Sequence, residues 1–232
     1  MNAKMLLARC SIAALLLTSA SSVWAYPQFA RETKMSCATC HTDVAGGPAL
    51  TDAGTAYKAD STKVPATSVA GASYVGSQKC KMCHLKEHKS WQTTPHAGTL
   101  DSLRLASPEA VAAFAKQIGV KAAGVASDNS TCLGCHTTGF GVAGGYPPAD
   151  DVHKATGADS TRIVALGSVG CESCHGPGSM HLSAEKAVKK TVINSAISAA
   201  TCRGCHTASA SPHFDYDKYK AKGVHEVKAA TP

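Results

Sequence analysis

The sequence predicts a mainly α chain with extensive loop and little or no β-sheet, and three observations carry that expectation. No stretch alternates apolar and polar residues as a half-buried strand requires. The helical signals are short and are separated by breaks such as Gly46-Gly47-Pro48 and Gly176-Pro177-Gly178. The composition is also thin for a conventional core, with four Phe and two Trp in 232 residues against much Ala, Gly, Ser and Thr. Something besides side chains must fill the interior, and a repeated pattern says what. Cys-x-x-Cys-His, the signature of covalent c-type haem attachment, occurs at Cys37–His41, Cys80–His84, Cys132–His136, Cys171–His175 and Cys202–His206.

Each such site bonds a porphyrin through its two thiols and offers the adjacent histidine as an axial iron ligand. The expected attachment residues are Cys37, Cys40, Cys80, Cys83, Cys132, Cys135, Cys171, Cys174, Cys202 and Cys205. The expected proximal ligands are His41, His84, His136, His175 and His206. Zinc ribbons, dithiol redox sites and disulfide frameworks also use Cys-x-x-Cys, but none needs the histidine. With histidine at about one position in twenty, five of five would arise by chance roughly once in three million. A buried aromatic side chain removes about 150–250 Å² from water, and a haem is several times larger, so five closely stacked haems would form most of the core.

Taken in order, residues 1–25 read as a secretory signal peptide. They show basic Lys4 and Arg9, an apolar run from Ile12 to Leu17, and Val23-Trp24-Ala25 before the expected cleavage. The apolar run is too short to span a bilayer, which takes about 20 residues, and no other segment approaches that length. An exported, periplasmic location follows as the expectation. Cys10 follows Arg9, where a lipoprotein needs a small residue, and reads as part of the signal. The formal charge of +7 drops to +5 without Lys4 and Arg9, and haem propionates offset much of that, so nothing points to nucleic acid.

Residues 26–58 form an N-terminal haem segment, 59–73 a small-residue linker, and 74–232 a larger unit with four attachment sites. A short helix should follow His84 through Trp91, ahead of Pro95-His96. Ser107-Pro108-Glu109 is a helix start, with an N-cap, proline at the first position and an acid in the first turn. Val111, Phe114, Ala115 and Ile118 keep helical spacing up to Gly119, and that face should pack on a haem or a neighbouring helix. Ala184–Lys190 reads as one more helix with a charged face. The sites are unevenly spaced, so they form a string of motifs and not a structural repeat.

Six histidines remain for the distal positions: His88, His96, His153, His181, His213 and His225. Methionine ligation would raise the potential, but Met35 and Met82 lie beside or within attachment motifs, which favours bis-histidine haems. His181 follows His175 by six residues, at most about 20 Å of extended chain, and the Gly-Pro-Gly turn shortens that. It is better placed to cap a neighbouring haem than its own.

The motifs resemble the tetrahaem cytochrome c-554 family from about Tyr74 to Val227. The resemblance rests on Cys80–His84 with Trp91 and His96, on Cys132–His136 followed by Gly139-Phe140-Gly141 and Gly144-Gly145-Tyr146, on Gly170 through Gly178, and on Phe214-Asp215 leading to His225. It implies closely spaced haem pairs with distal ligands crossing between motifs: His84 with His181, His175 with His96, and His206 with His225. It also implies a five-coordinate haem at His136. The N-terminal site at His41 lies outside the family pattern; His213, His88 and His153 are its candidate distal ligands, in that order.

The leading functional expectation is a periplasmic pentahaem cytochrome carrying single electrons between redox protein partners, with no catalytic residue of its own. A first alternative is a small nitrogen-oxide reductase (nitric oxide, nitrite or hydroxylamine) at an open haem on His136, although no Cys-x-x-Cys-Lys site is present. A second is self-association into a conductive cytochrome filament.

Overall fold

A computed structural model describes residues 28–33, 35, 37–42, 49–66, 71–121, 124–142, 144–195, 197–222 and 224–225. The expected signal peptide lies outside them, as do the Gly46-Gly47-Pro48 break and residues 67–70 of the linker. Among the described residues the elements are short α-helices and 3₁₀ turns joined by loops. The β pairing described is one antiparallel bridge between His41 and Leu50. The mainly α expectation holds.

The longest helix among the described residues, Pro108–Ile118, forms where its signals lie. Ser107 Oγ accepts from Ala110 N at 3.2 Å, and Gly119 closes the helix in the left-handed region at φ 72°. Its face is less buried than the spacing implies, because Ala115 is buried while Phe114 remains 40% exposed. The helix Leu85–Gln92 follows the second motif and buries His88 and Trp91. Trp91 Nε1 donates to the Val169 carbonyl at 3.0 Å, tying this helix to the approach of the fourth motif.

The expectation of a helix over Ala184–Lys190 fails. The helix runs instead over Ser179–Ser183, Ala184 is extended at ψ 149°, and a turn leads into a 3₁₀ segment at Lys189–Thr191. The cause is a fold-back. His181 Nδ1 donates to the Lys189 carbonyl at 2.8 Å, and Lys189 Nζ reaches the Leu182 carbonyl at 3.3 Å.

The apolar core is small and local. Leu100, Leu103, Ala126, Leu133, Phe140, Tyr146, Ile163 and Leu166 form one cluster, all within residues 100–166, around the third motif. The N-terminal unit closes on itself. Thr51 N donates to the Cys40 carbonyl at 3.1 Å and Thr51 Oγ1 to the Thr39 carbonyl at 2.8 Å, while the same hydroxyl caps the helix Asp52–Ala59 by accepting from Gly54 N. Gly54 packs so closely that an added Cβ would collide with the Cys40 carbonyl. The end of the expected linker is pinned where Ser73 and Ser179 exchange hydrogen bonds of 2.8 and 3.1 Å.

Candidate haem centres

Each motif is a single helical turn, which is why its residue types work together. His41 N donates to Cys37 O at 2.8 Å, His84 N to Cys80 O at 2.9 Å and His206 N to Cys202 O at 2.9 Å. The third and fourth motifs lie within the helices Ser130–His136 and Cys171–His175. Residues four apart on a helical turn share a face, so the first cysteine and the histidine address the same side.

Three pairs of imidazoles then face one another across the tertiary structure. His84 and His181 have ring centres 6.2 Å apart, His96 and His206 6.1 Å, and His175 and His225 5.9 Å. An imidazole nitrogen bonds a first-row metal ion at about 2.0–2.1 Å and lies roughly 1.1 Å from its ring centre, so two rings trans across one ion have centres about 6.3 Å apart. The three spacings fit an iron between each pair.

The outer nitrogens support that fit. His175 Nδ1 meets the Asn194 carbonyl at 2.7 Å, His181 Nδ1 the Lys189 carbonyl at 2.8 Å, and His136 Nδ1 the Thr99 carbonyl at 3.0 Å. A carbonyl can only accept, so each Nδ1 carries the proton and Nε2 is left as the donor atom for a metal. His206 Nδ1 meets Ser211 Oγ at 3.1 Å, and its ring stacks on Phe214 at 4.4 Å. Burial holds His96, His175 and His206 below the ordinary imidazole value. This favours the neutral form that ligates iron.

The attachment thiols approach one another across motifs. Cys80 donates a hydrogen bond to Cys171, which raises the Cys80 thiol and draws Cys171 down to about 7. Cys135 and Cys205 are joined in the same way. Burial pushes Cys174 up to about 11, with the charges of Cys202 and Cys171 adding to it. The second motif therefore adjoins the fourth, the fourth the fifth, and the fifth the third. At the other end Cys37 lies close enough to Tyr74 to act on its ionisation, after burial the next largest cause of that phenol's rise.

The structure brings together six of the expected ligands, with two partners exchanged relative to the pairing carried over by position. His225 faces His175, not His206, and His96 faces His206, not His175. His84 faces His181 as the resemblance implies. Among the described residues none of these pairs includes His41 or His136. Of the remaining histidines, His213 is exposed, and His153 is exposed and 3.2 Å from Asp128. His88 is buried against Trp91.

Two supporting residues were not among those the sequence pointed to. Glu172, between the fourth pair of cysteines, is 3% exposed and accepts from Val75 N at 2.9 Å, Gly76 N at 2.7 Å and Gly178 N at 2.7 Å. It fastens the strand-like approach to the second motif onto the Gly-Pro-Gly turn of the fourth. Thr99 donates from Oγ1 to the His136 carbonyl at 2.8 Å and accepts there from Val169 N at 3.0 Å. A charged residue inside Cys-x-x-Cys was the available hint for Glu172; Thr99 offered none. The Gly-Phe-Gly and Gly-Gly-Tyr stretches form one closed loop. Gly141 N donates to Tyr146 O and Tyr146 N to Thr138 O, and Gly139 at φ 66° lies against the Tyr74 ring.

Paired attachment cysteines, each with an adjoining histidine, and imidazoles facing across metal-sized gaps define the class as a c-type cytochrome. Residues 79–176 match the family model described as cytochrome c554 and c-prime, so the resemblance to that family is partial and centres on the second to fourth motifs. The cytochrome c-554 of Nitrosomonas europaea is 35% identical over 109 residues, which is 47% of this chain and 40% of that relative. The chain thus spans well under two thirds of the relative's length. No solved structure matches it.

Proposed function

We propose that this chain is an exported pentahaem c-type cytochrome that relays single electrons between redox proteins. Five haems would be held by the ten paired cysteines, with His41, His84, His136, His175 and His206 as proximal ligands. His181 would cap the haem of His84, His96 that of His206, and His225 that of His175. The observation that carries the reading is the set of three histidine pairs with ring centres 5.9–6.2 Å apart. Haem iron supplies a one-electron couple whose potential follows its axial ligands. The protein orients His136, His175, His181 and His206 through their Nδ1 contacts, favours the neutral form of His96, His175 and His206 by burial, and sets neighbouring motifs beside one another. At those three haems two histidine ligands would leave no position for a substrate.

The proposed organisation has a cleaved leader through Ala25, an N-terminal haem segment at 26–58, a linker at 59–73 and a four-haem unit from residue 74. No described helix is long and apolar enough to cross a membrane. The test is the mass and haem content of the exported protein with its low-temperature paramagnetic resonance spectrum. Five haems with at least three low-spin bis-histidine signals are expected; fewer than four haems, or no bis-histidine signal, would overturn the reading.

A second reading has one observation in its favour. Among the described residues no histidine faces His136, so the haem there would keep an open position able to take a small nitrogen oxide. A nitric oxide adduct confined to one haem supports it. An absence of any adduct in the fully reduced protein removes it.

A further inference from the structure

We infer that the surface around Cys83 is the docking face for a redox partner with an acidic surface, and that the haem of the second motif is where electrons enter or leave. The inference rests on the electron-carrier reading above. Among the ten attachment cysteines Cys83 alone is exposed; the other nine are part-buried. The polypeptide thus covers the second thiol of the second motif least, so a haem bonded there would be screened from a partner by the fewest protein atoms. Electron transfer falls steeply with distance, so the attachment point nearest solvent marks the place for exchange between molecules.

The composition around it has the anatomy of a transient interface. Met82 is 79% exposed and Leu85 45%, an apolar centre beside the thiol. Lys79, Lys81, Lys86 and Lys89 are all exposed around it. Leu85, Lys86 and Lys89 share one side of the helix Leu85–Gln92, because residues three and four apart are neighbours there, while His88 of the same helix turns inward. Among the described residues none of the four lysines forms a salt bridge, and Glu87 is the one acid between residues 79 and 89. The other motifs lack such a rim: only Arg203 lies within any of them. Asp150, Asp151 and Asp159 gather on a different part of the chain.

Four unpaired cations around a small apolar centre attract a negatively charged surface, and the attraction acts on association rate more than on final affinity. Steering of this kind raises encounter rates by about 10- to 1,000-fold and falls with ionic strength. A small, wet, lysine-rimmed contact suits the low-area class of short-lived redox encounters. An anionic lipid surface offers the same sign of charge but no reason for a haem attachment position to sit at the centre, so an acidic protein is the occupant proposed.

The experiment uses the exported holoprotein, reduced, with an acidic flavodoxin, hexacyanoferrate(III) and the cationic tris(phenanthroline)cobalt(III) as separate oxidant probes. The variant K79Q/K81Q/K86Q/K89Q is compared with its K→R counterpart and with K218Q/K220Q/K222Q on the C-terminal helix. The expected result is at least a tenfold slower reaction with both anionic probes at low ionic strength for the first glutamine variant alone. The difference should disappear at high salt, the arginine variant should keep its rate, and the cobalt complex should show no loss. Equal losses in the C-terminal variant, or no loss in either, overturn the docking face. So does binding to phosphatidylglycerol vesicles that depends on the four lysines while the flavodoxin rate does not. If even the unaltered holoprotein exchanges electrons with none of the three probes, the carrier reading itself fails.

Discussion

His84 and His181 face each other at 6.2 Å with their rings within 29° of parallel. Each comes from a different motif region. His84 ends the second attachment turn, and His181 lies in the helix Ser179–Ser183 just past the fourth. The Gly-Pro-Gly turn carries His181 away from His175, and the fold-back onto Lys189 fixes its ring.

Replacing His181 with Ala should therefore open the haem of His84 and leave the haem bonded to Cys171 and Cys174 six-coordinate. Resonance spectra should show one low-spin signal replaced by one high-spin signal, and added imidazole should restore it. A change at the haem of His175 instead would contradict the crossed arrangement.

The exchanged partners give a second test. Substituting His225 with Ala should perturb the haem held by His175, and substituting His96 with Ala should perturb that held by His206. Combining H225A with H175M distinguishes the arrangements. If the two residues share an iron, the double variant affects one haem; if they do not, it affects two.

Glu172→Ala leaves the amides of Val75, Gly76 and Gly178 without their acceptor, and a loss of about 2–4 kcal/mol in unfolding free energy is expected from buried donors left unpaired. Glu172→Gln retains one oxygen acceptor and should lose less. Burial raises the Glu172 carboxyl above its ordinary value, against the lowering effect of its three backbone partners. The native state thus holds this proton more tightly than the unfolded chain. The contribution is full below the ordinary value of 4.5 and is lost as pH rises through the native value. Denaturant titrations of the native protein and of E172Q should show the native protein's stability falling relative to the variant across that window.

Thr99→Val keeps the shape and removes the hydroxyl that joins the His136 carbonyl to Val169 N. Val169 N keeps the His96 carbonyl at 3.2 Å, so a loss of about 1–3 kcal/mol is expected from the His136 carbonyl left without this donor, read as a lowered denaturation midpoint. The haem count should not change, because no attachment residue is touched.

Gly54→Ala places a methyl group against the Cys40 carbonyl. The N-terminal turn must shift to accept it, so the haem proposed at Cys37 and Cys40 should be lost in part or entirely. Intact mass should show the four-haem form rising, with the other four sites loaded as before.

The helical turn of each motif was legible in the residues because Cys-x-x-Cys-His is local: one turn sets the first thiol and the imidazole on one face, and no distant contact is needed. The helix Pro108–Ile118 was legible for the same reason, since Ser107, Pro108 and Gly119 act within a turn of themselves. Ala184–Lys190 misled because its charged residues suit a helix in isolation, whereas His181 and Lys189 bond across the segment and fold it back.

The sequence by itself determined the mainly α chain, the five Cys-x-x-Cys-His motifs and the surplus of histidines beyond them. Tertiary structure alone decided which histidine meets which. His96 and His225 are equally good imidazoles by any local measure, and what assigns one to His206 and the other to His175 is the path of the chain between motifs. That path is held by contacts far apart in sequence, such as Glu172 on the Val75 and Gly76 amides and Trp91 on Val169. Their energy comes from burying paired polar groups, which appears only once the distant segments have met.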